Sequence, residues 1–271
     1  MKYDFQKDGI TQSLMSDFMT CPRKYENSIH YKIDLIPATV FGSFGHKYLE
    51  CFYSKKDFNF EAYEFPKEVS LDDQEYMRNV GAILFEEYEN YYSKEKIQPE
   101  IVFDVKLKDF RLKGKIDGIK NNFIFETKFK SQIVENKLQE RLLLDWQTNF
   151  YMIAYLLKMN MYPKGVIYNV IRYPKRSIKG SMKTFCDSLQ KEIHNKPEYF
   201  FLRFETLFNK ELIDNFKVEL YHKLKYMKDY YPWKNQCACD LYSGCQYVKL
   251  CAKGDTDGLK KREKMFEELE N

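Results

Sequence analysis

The strongest constraint on the fold is a switch of hydrophobic period between residues 101 and 130. Ile101, Phe103, Val105 and Leu107 alternate with more polar neighbours, as in a half-buried strand. Phe110, Leu112, Gly114 and Ile116 form one face of a second strand, and Arg111, Lys113, Lys115 and Asp117 form the other. A third runs from Asn122 to Lys130, with Phe123, Phe125 and Phe129 on one side and Ile124, Glu126, Lys128 and Lys130 on the other. Asn121-Asn122 suits a two-residue hairpin turn, because asparagine tolerates positive φ better than most residues. That turn sets Asp117 directly across from Glu126, and strand period puts Lys128 on the same face.

Two carboxylates facing each other across a strand pair destabilise a sheet unless something neutralises them. A hard divalent cation does so, and Mg²⁺ is typically held by one or two carboxylates together with water and substrate phosphate. The Lys128 ammonium is then placed to orient or help deprotonate the water. An ordinary hairpin with a solvated charged face shows the same spacing. However, eight basic residues lie between Val105 and Lys130, and Asp117 and Glu126 are two of only three acids there. A surface serving solubility alone mixes signs more evenly.

Helical patterns lie on both sides. Thr11 to about His30 reads as a helix and its exit, anchored by Leu14, Phe18 and Tyr25. Another begins near Gly42 and continues through His46, Leu49 and Tyr53. Residues 60–97, acidic and aromatic, read as helical with Ile83, Leu84, Tyr88 and Tyr91 facing inward. One long helix is predicted over about 135–158, with Leu138, Leu142, Trp146, Phe150, Ile153 and Leu157 as its core stripe. Val166–Tyr173 reads as a strand and Lys210–Tyr230 as a helix. Helices before and after an internal sheet predict a single α/β domain over 1–271. Its parts are a mainly helical 1–100 with an acidic insert at 60–100, a catalytic core at 101–175, and a helical 176–271 bearing clustered cysteines.

A 44% hydrophobic and 17% aromatic composition excludes a disordered chain. No uncharged run approaches the roughly 18 residues of a membrane helix. Asp4, Asp8 and Asp17 without an apolar run argue against a secretory signal, so the expectation is a soluble, cytoplasmic protein. Disulfides are not expected there, yet four of seven cysteines fall within Cys237–Cys251, which points to a metal. Cys51 and Cys186 read as small buried hydrophobes. The net charge of +4 hides a run from Lys158 to Lys183 with seven basic residues and no acid. Such a run suits a polyanion or a solvated loop, and the acidic Glu61–Glu100 stretch suits solvent.

Asp117…Glu126-Thr127-Lys128 resembles the catalytic signature of the PD-(D/E)XK nucleases, with Ile116 where the family has proline. Gly42-Ser-Phe-Gly-His46 is similar to the G-x-x-x-H motif of the RecB-like branch, and Gln147-Thr-Asn-Phe-Tyr151 to its Q-x-x-x-Y motif. Cys21-Pro-Arg-Lys-Tyr25 with the C-terminal cysteines resembles the iron–sulfur staple of AddB-type and CRISPR-adaptation nucleases. The motifs stand in family order from Cys21 to Cys251, and the whole looks most like a stand-alone phage exonuclease.

The resemblance implies a restriction-endonuclease-like mixed sheet flanked by helices. It implies Asp117, Glu126 and Lys128 as catalytic residues, and Mg²⁺ or Mn²⁺ on His46, Asp117, Glu126 and Thr127, with Glu50 a looser candidate one turn after His46. Gln147 and Tyr151 are expected to contact DNA and support the catalytic strand; Arg172, Lys175 and Arg176 are candidate phosphate contacts. A 4Fe-4S cluster is implied on Cys21, Cys239, Cys245 and Cys251. The spacing departs from the family's, which would place a ligand at Tyr242, so Cys237 is the alternative to Cys239 and zinc stays open. The implied activity is that of a metal-dependent DNA exonuclease in phage or bacterial recombination, repair or degradation. Its DNA would be linear ends or single strands, with any helicase or recombinase on a separate chain. The alternatives are a non-cleaving end-binding module, disfavoured by the intact catalytic set, and a site-specific endonuclease, disfavoured by the cysteine and Gln/Tyr motifs.

Overall fold

Pro22 and Pro37 each open a helix, where the missing N–H of proline costs nothing. The computed structural model describes residues 3–33, 35–92, 95–174, 178, 180–241 and 244–269. In chain order it begins with α1 (Phe5–Asp8), α2 (Gln12–Thr20), α3 (Pro22–His30), β1 (Tyr31–Ile33), α4 (Pro37–Tyr53) and α5 (Leu71–Tyr92). Then come β2 (Gln98–Leu107), β3 (Phe110–Lys120), β4 (Phe123–Lys130), α6 (Glu135–Arg141), α7 (Trp146–Met159) and β5 (Gly165–Arg172). The remainder is α8 (Met182–Asn195), α9 (Pro197–Phe200), β6 (Phe201–Leu207), α10 (Lys210–Lys228), α11 (Val248–Lys253) and β7 (Leu259–Lys261).

The sheet order is β2-β3-β4-β5-β6, antiparallel except for the parallel β4/β5 pair. The fold is thus the expected mixed α/β one. Helices α2, α7 and α10 share a core with Ile124, Val166 and Val170 on one face. Helices α4, α5 and α8 share another core with Phe129, Ile171 and Phe201 on the opposite face. Among the described residues no helix is long and apolar enough to cross a membrane.

Several local expectations are corrected. The expected 11–30 helix is two helices, because Pro22 ends one and starts the next. Residues 60–70 are turns rather than helix. Their aromatics lack helical period and instead, with Phe58, ring Phe44, at centroid distances of 4.8 Å for Tyr63 and 5.2 Å for Phe65. Leu84 and Tyr88 are buried as expected, while Tyr91 is 45% exposed. The long 135–158 helix is broken: α6 ends in a 3-10 turn at Leu142–Leu144, and the Asp145 side chain accepts the Thr148 N–H at 2.7 Å to cap α7. An N-cap acid outcompetes helix continuation there. The strand β6, absent from the sequence reading, completes the sheet in the segment expected to be helical. The pair β1/β7, also unforeseen, joins Tyr31 to Lys261 and so ties the N- and C-terminal segments together.

Candidate active site

Asn121 and Asn122 adopt φ of 52° and 68°, and Lys120 pairs with Phe123, as the two-residue turn requires. From there the β3/β4 ladder runs through Ile119↔Ile124 to Gly118↔Phe125 and stops, while β3 stays paired with β2 as far as Leu107↔Phe110. The two central strands therefore fork, and Asp117 and Glu126 flank the fork. The Asp117 carboxylate accepts the Thr127 backbone N–H at 2.7 Å, in place of a ladder bond. Glu126 is 1% exposed, and its Oε1 accepts from Lys128 Nζ at 2.5 Å. Lys128 also donates to Gln147 Oε1 at 2.7 Å, and Gln147 Nε2 donates to Tyr151 OH at 3.1 Å. The fourth group comes from α4, where His46 Nδ1 lies 3.5 Å from Asp117 Oδ1.

Glycine explains how α4 comes so near. A Cβ at Gly45 would collide with the Phe129 ring, whereas one at Gly42 would meet nothing within 4 Å. The close approach that carries His46 to β4 thus depends on the second glycine of Gly42-Ser-Phe-Gly-His46.

Electrostatics follow from burial. Burial, reinforced by the Asp117 charge, pushes Glu126 up to about 7. Burial pushes Asp117 up to about 6, against the pull of Lys128 and the Thr127 N–H. Burial drives His46 down to about 4, so its ring is neutral at pH 7. For Lys128 burial acts against the charge, but the Glu126 and Asp117 carboxylates outweigh it and hold the ammonium protonated.

The donor set fits a hard divalent cation. Glu126 Oε2 is buried with no hydrogen-bond partner, an arrangement that is costly unless a cation reaches it. As placed, no three His, Cys, Asp or Glu side chains among the described residues form a group able to hold a metal ion. Glu126 Oε1 and Asp117 Oδ2 are engaged by Lys128 and Thr127 instead.

The remaining expected residues divide. Thr127 enters the site by its backbone N–H, while its hydroxyl is turned to Asn169 Nδ2 at 3.2 Å. Gln147 and Tyr151 reach the site as supports of Lys128; Tyr151 is buried. Glu50 pairs with Lys47 on its own helix at 2.7 Å. Arg172 is not displayed for a phosphate: it is 7% exposed, paired with Glu135 at 2.8 Å and stacked on Tyr199. The basic run is threaded through β5, so Lys164 and Arg172 lie at opposite ends of a strand, about 26 Å apart. Lys175 and Arg176 lie outside the described residues.

Cys21, Cys239 and Cys245 line one cavity of about 170 Å³, from which the exposed Cys237 is absent. Desolvation and the neighbouring Cys245 and Cys21 thiols push the Cys239 thiol up. Cys251 Sγ accepts from Asn27 Nδ2 at 3.4 Å. The thiols are gathered without a metal-ligating geometry.

Two groups escaped the sequence reading. Glu100 faces Asp117 across β2 and β3, at a break in the ladder where its own φ is +53°, and it pairs with Lys115. Asn169, fully buried on β5 beside Thr127, accepts from Arg203 Nε at 2.9 Å. Only the strand register brings either to the site, and no local motif marks them.

Comparison with known proteins bears on the same residues. Curated protein sequences return no match. A crystal structure of a candidate exonuclease from Eubacterium rectale is similar over 88% of this chain and 92% of that one, with 10% identity and a TM-score of 0.46. The family model of the PD-(D/E)XK nuclease superfamily matches residues 10–252, a span that takes in the fork, His46, the Gln147–Tyr151 helix, and Cys21, Cys239, Cys245 and Cys251. The chain belongs to the PD-(D/E)XK nuclease superfamily.

Proposed function

We propose that the protein is a metal-dependent deoxyribonuclease acting on linear DNA ends, an exonuclease, with Asp117, Glu126 and Lys128 as its catalytic residues. The observation that carries this reading is the buried, unpartnered Glu126 Oε2 beside a second carboxylate and a paired lysine. His46, Asp117 and Glu126 would hold Mg²⁺ or Mn²⁺, and the neutral His46 ring is suited to ligation. A bound cation of this kind supplies Lewis-acid activation of water and charge neutralisation at phosphate. The chain's own groups do the rest. Lys128, kept protonated by the two carboxylates, is a fixed positive charge for the negative charge that builds on the scissile phosphate. Gln147 holds that ammonium in place, with Tyr151 behind it. Thr127 fixes Asp117 through its N–H.

The biological setting consistent with this chemistry is DNA recombination, repair or degradation. Cys21, Cys239, Cys245 and Cys251 would carry a structural 4Fe-4S cluster clamping the terminal segments; the cavity shared by the first three and the resemblance support that reading. Digestion of end-labelled linear DNA and of a closed circle with Mg²⁺ or Mn²⁺ tests the activity. Linear DNA should be degraded and the circle spared. Equal cutting of the circle overturns the exonuclease assignment, and no metal-dependent cutting of either overturns the nuclease.

A further inference from the structure

Beside the fork a cleft of about 690 Å³ opens beneath α6 and the 3-10 turn that follows it. Two of its lining residues neighbour the candidate active site along the sheet. Tyr168 in its wall is in register beside Glu126, and Lys130 lies two residues beyond Lys128 on the same strand face. Three cations line it: Lys130, Lys137 and Arg141, all exposed. None makes an ion pair or side-chain hydrogen bond among the described residues, whereas Arg111, Lys115, Lys120 and Arg172 are all paired. The acid among the described lining residues, Asp145, is engaged in capping α7. Apart from Gln132, the rest of the lining is apolar or aromatic, with Trp146 partly exposed and Leu144 82% exposed.

Unpaired cations say polyanion, and the apolar floor says which kind. A duplex turns phosphates and grooves toward a protein and keeps its base faces stacked inside. A single strand can lay its base faces on aromatic and apolar side chains while its phosphates follow a basic rim. We propose that this cleft receives a single nucleic-acid strand, with phosphates along Lys130, Lys137 and Arg141 and bases over Trp146 and Leu144, and leads it to Glu126 and Lys128. This deepens the nuclease reading and rests on it.

The chain has two tryptophans, so Trp233→Phe leaves Trp146 as its sole indole reporter. Oligo(dT) and a blunt hairpin duplex are titrated into that protein in EDTA, where no cutting occurs. Oligo(dT) should quench Trp146 emission and bind more tightly than the duplex. In otherwise native protein, K130Q/K137Q/R141Q should lower the log–log salt slope of oligo(dT) binding by about 2, from three contacts of roughly 0.7 each. Lys55, Lys56 and Lys67, exposed lysines outside the cleft, changed together to Gln should leave the slope at its native value. Binding without Trp146 quenching, or a native slope in the cleft triple variant, overturns the proposal. Equal affinity and quenching with the duplex overturns the single-strand assignment. If Mg²⁺- or Mn²⁺-dependent digestion persists alongside such a result, only the cleft is lost. A native protein that neither binds nor cuts DNA overturns both readings.

Discussion

Asp117 accepts the backbone N–H of Thr127 at 2.7 Å, so a side chain of one central strand takes the place of a ladder bond to the next. The bond survives replacement of Asp117 by Asn, whose Oδ1 can still accept, while the charge does not. Asp117 and Glu126 both have raised values, about 6 and about 7. A raised carboxyl contributes stability that is complete below its unfolded value near 4 and lost as pH rises through the folded value. Metal-free protein should therefore lose thermal stability between pH 4.5 and 7. At pH 8 Asp117→Asn should be the more stable by on the order of 2–5 °C, an advantage that vanishes below pH 4. Mg²⁺ added at pH 8 should raise the native protein's melting temperature and not the variant's. Melting curves across pH with and without Mg²⁺ measure this; no dependence on pH would mean that burial does not hold these carboxyls above their ordinary values.

The Lys128–Gln147 bond separates chemistry from support. Lys128→Ala should lower the rate of DNA hydrolysis by about 10²-fold or more, the usual loss when a charge stabiliser is removed. Gln147→Ala, which leaves the ammonium but frees it, should cost about tenfold. DNA binding in EDTA should hold in both, since phosphate contacts elsewhere carry the affinity. Equal rates for Lys128→Ala and native protein would remove Lys128 from the site.

Asn169 is buried between Thr127 and Arg203. Asn169→Ala leaves both groups short of a partner, at a cost of about 1–3 kcal/mol in urea unfolding. If the network also positions Thr127, and through it Asp117, hydrolysis should fall while DNA affinity stays level. Loss of stability with a native rate would confine Asn169 to the fold.

The thiol cavity includes Cys239 and not Cys237, the two candidates that spacing left open. Cys239→Ser should lower yield and melting temperature, and Cys237→Ser should be mild, because Cys237 lies outside the cavity. Iron analysis of anaerobically purified protein checks the cluster, and near-stoichiometric zinc would identify the alternative metal. Neither metal would leave β1/β7 and the Arg262–Ser28 bond as the clamp between the terminal segments.

What local sequence could decide, it decided. The alternation from Ile101 to Lys130 and the Asn121-Asn122 turn determined three strands and the register of the hairpin as far as Gly118↔Phe125, because period and turn geometry act over a few residues; the fork that opens one pair before Asp117 and Glu126 was not legible there. The Leu142, Phe150 and Ile153 stripe likewise foretold a buried face, although Asp145 broke the helix carrying it. Glu100, Asn169 and Arg203 were decided only by tertiary structure. Each is an ordinary polar residue until a neighbouring strand, 17 or more residues away, sets Glu100 beside Asp117, Asn169 beside Thr127 and Arg203 beside Asn169. The same holds for Arg172. Its sequence neighbours are basic and its surroundings are Glu135 and Tyr199, which turn a would-be phosphate contact into a buried guanidinium paired with a half-exposed carboxylate. Charge along a chain is additive, but charge at a surface depends on which side chains folding leaves unpaired.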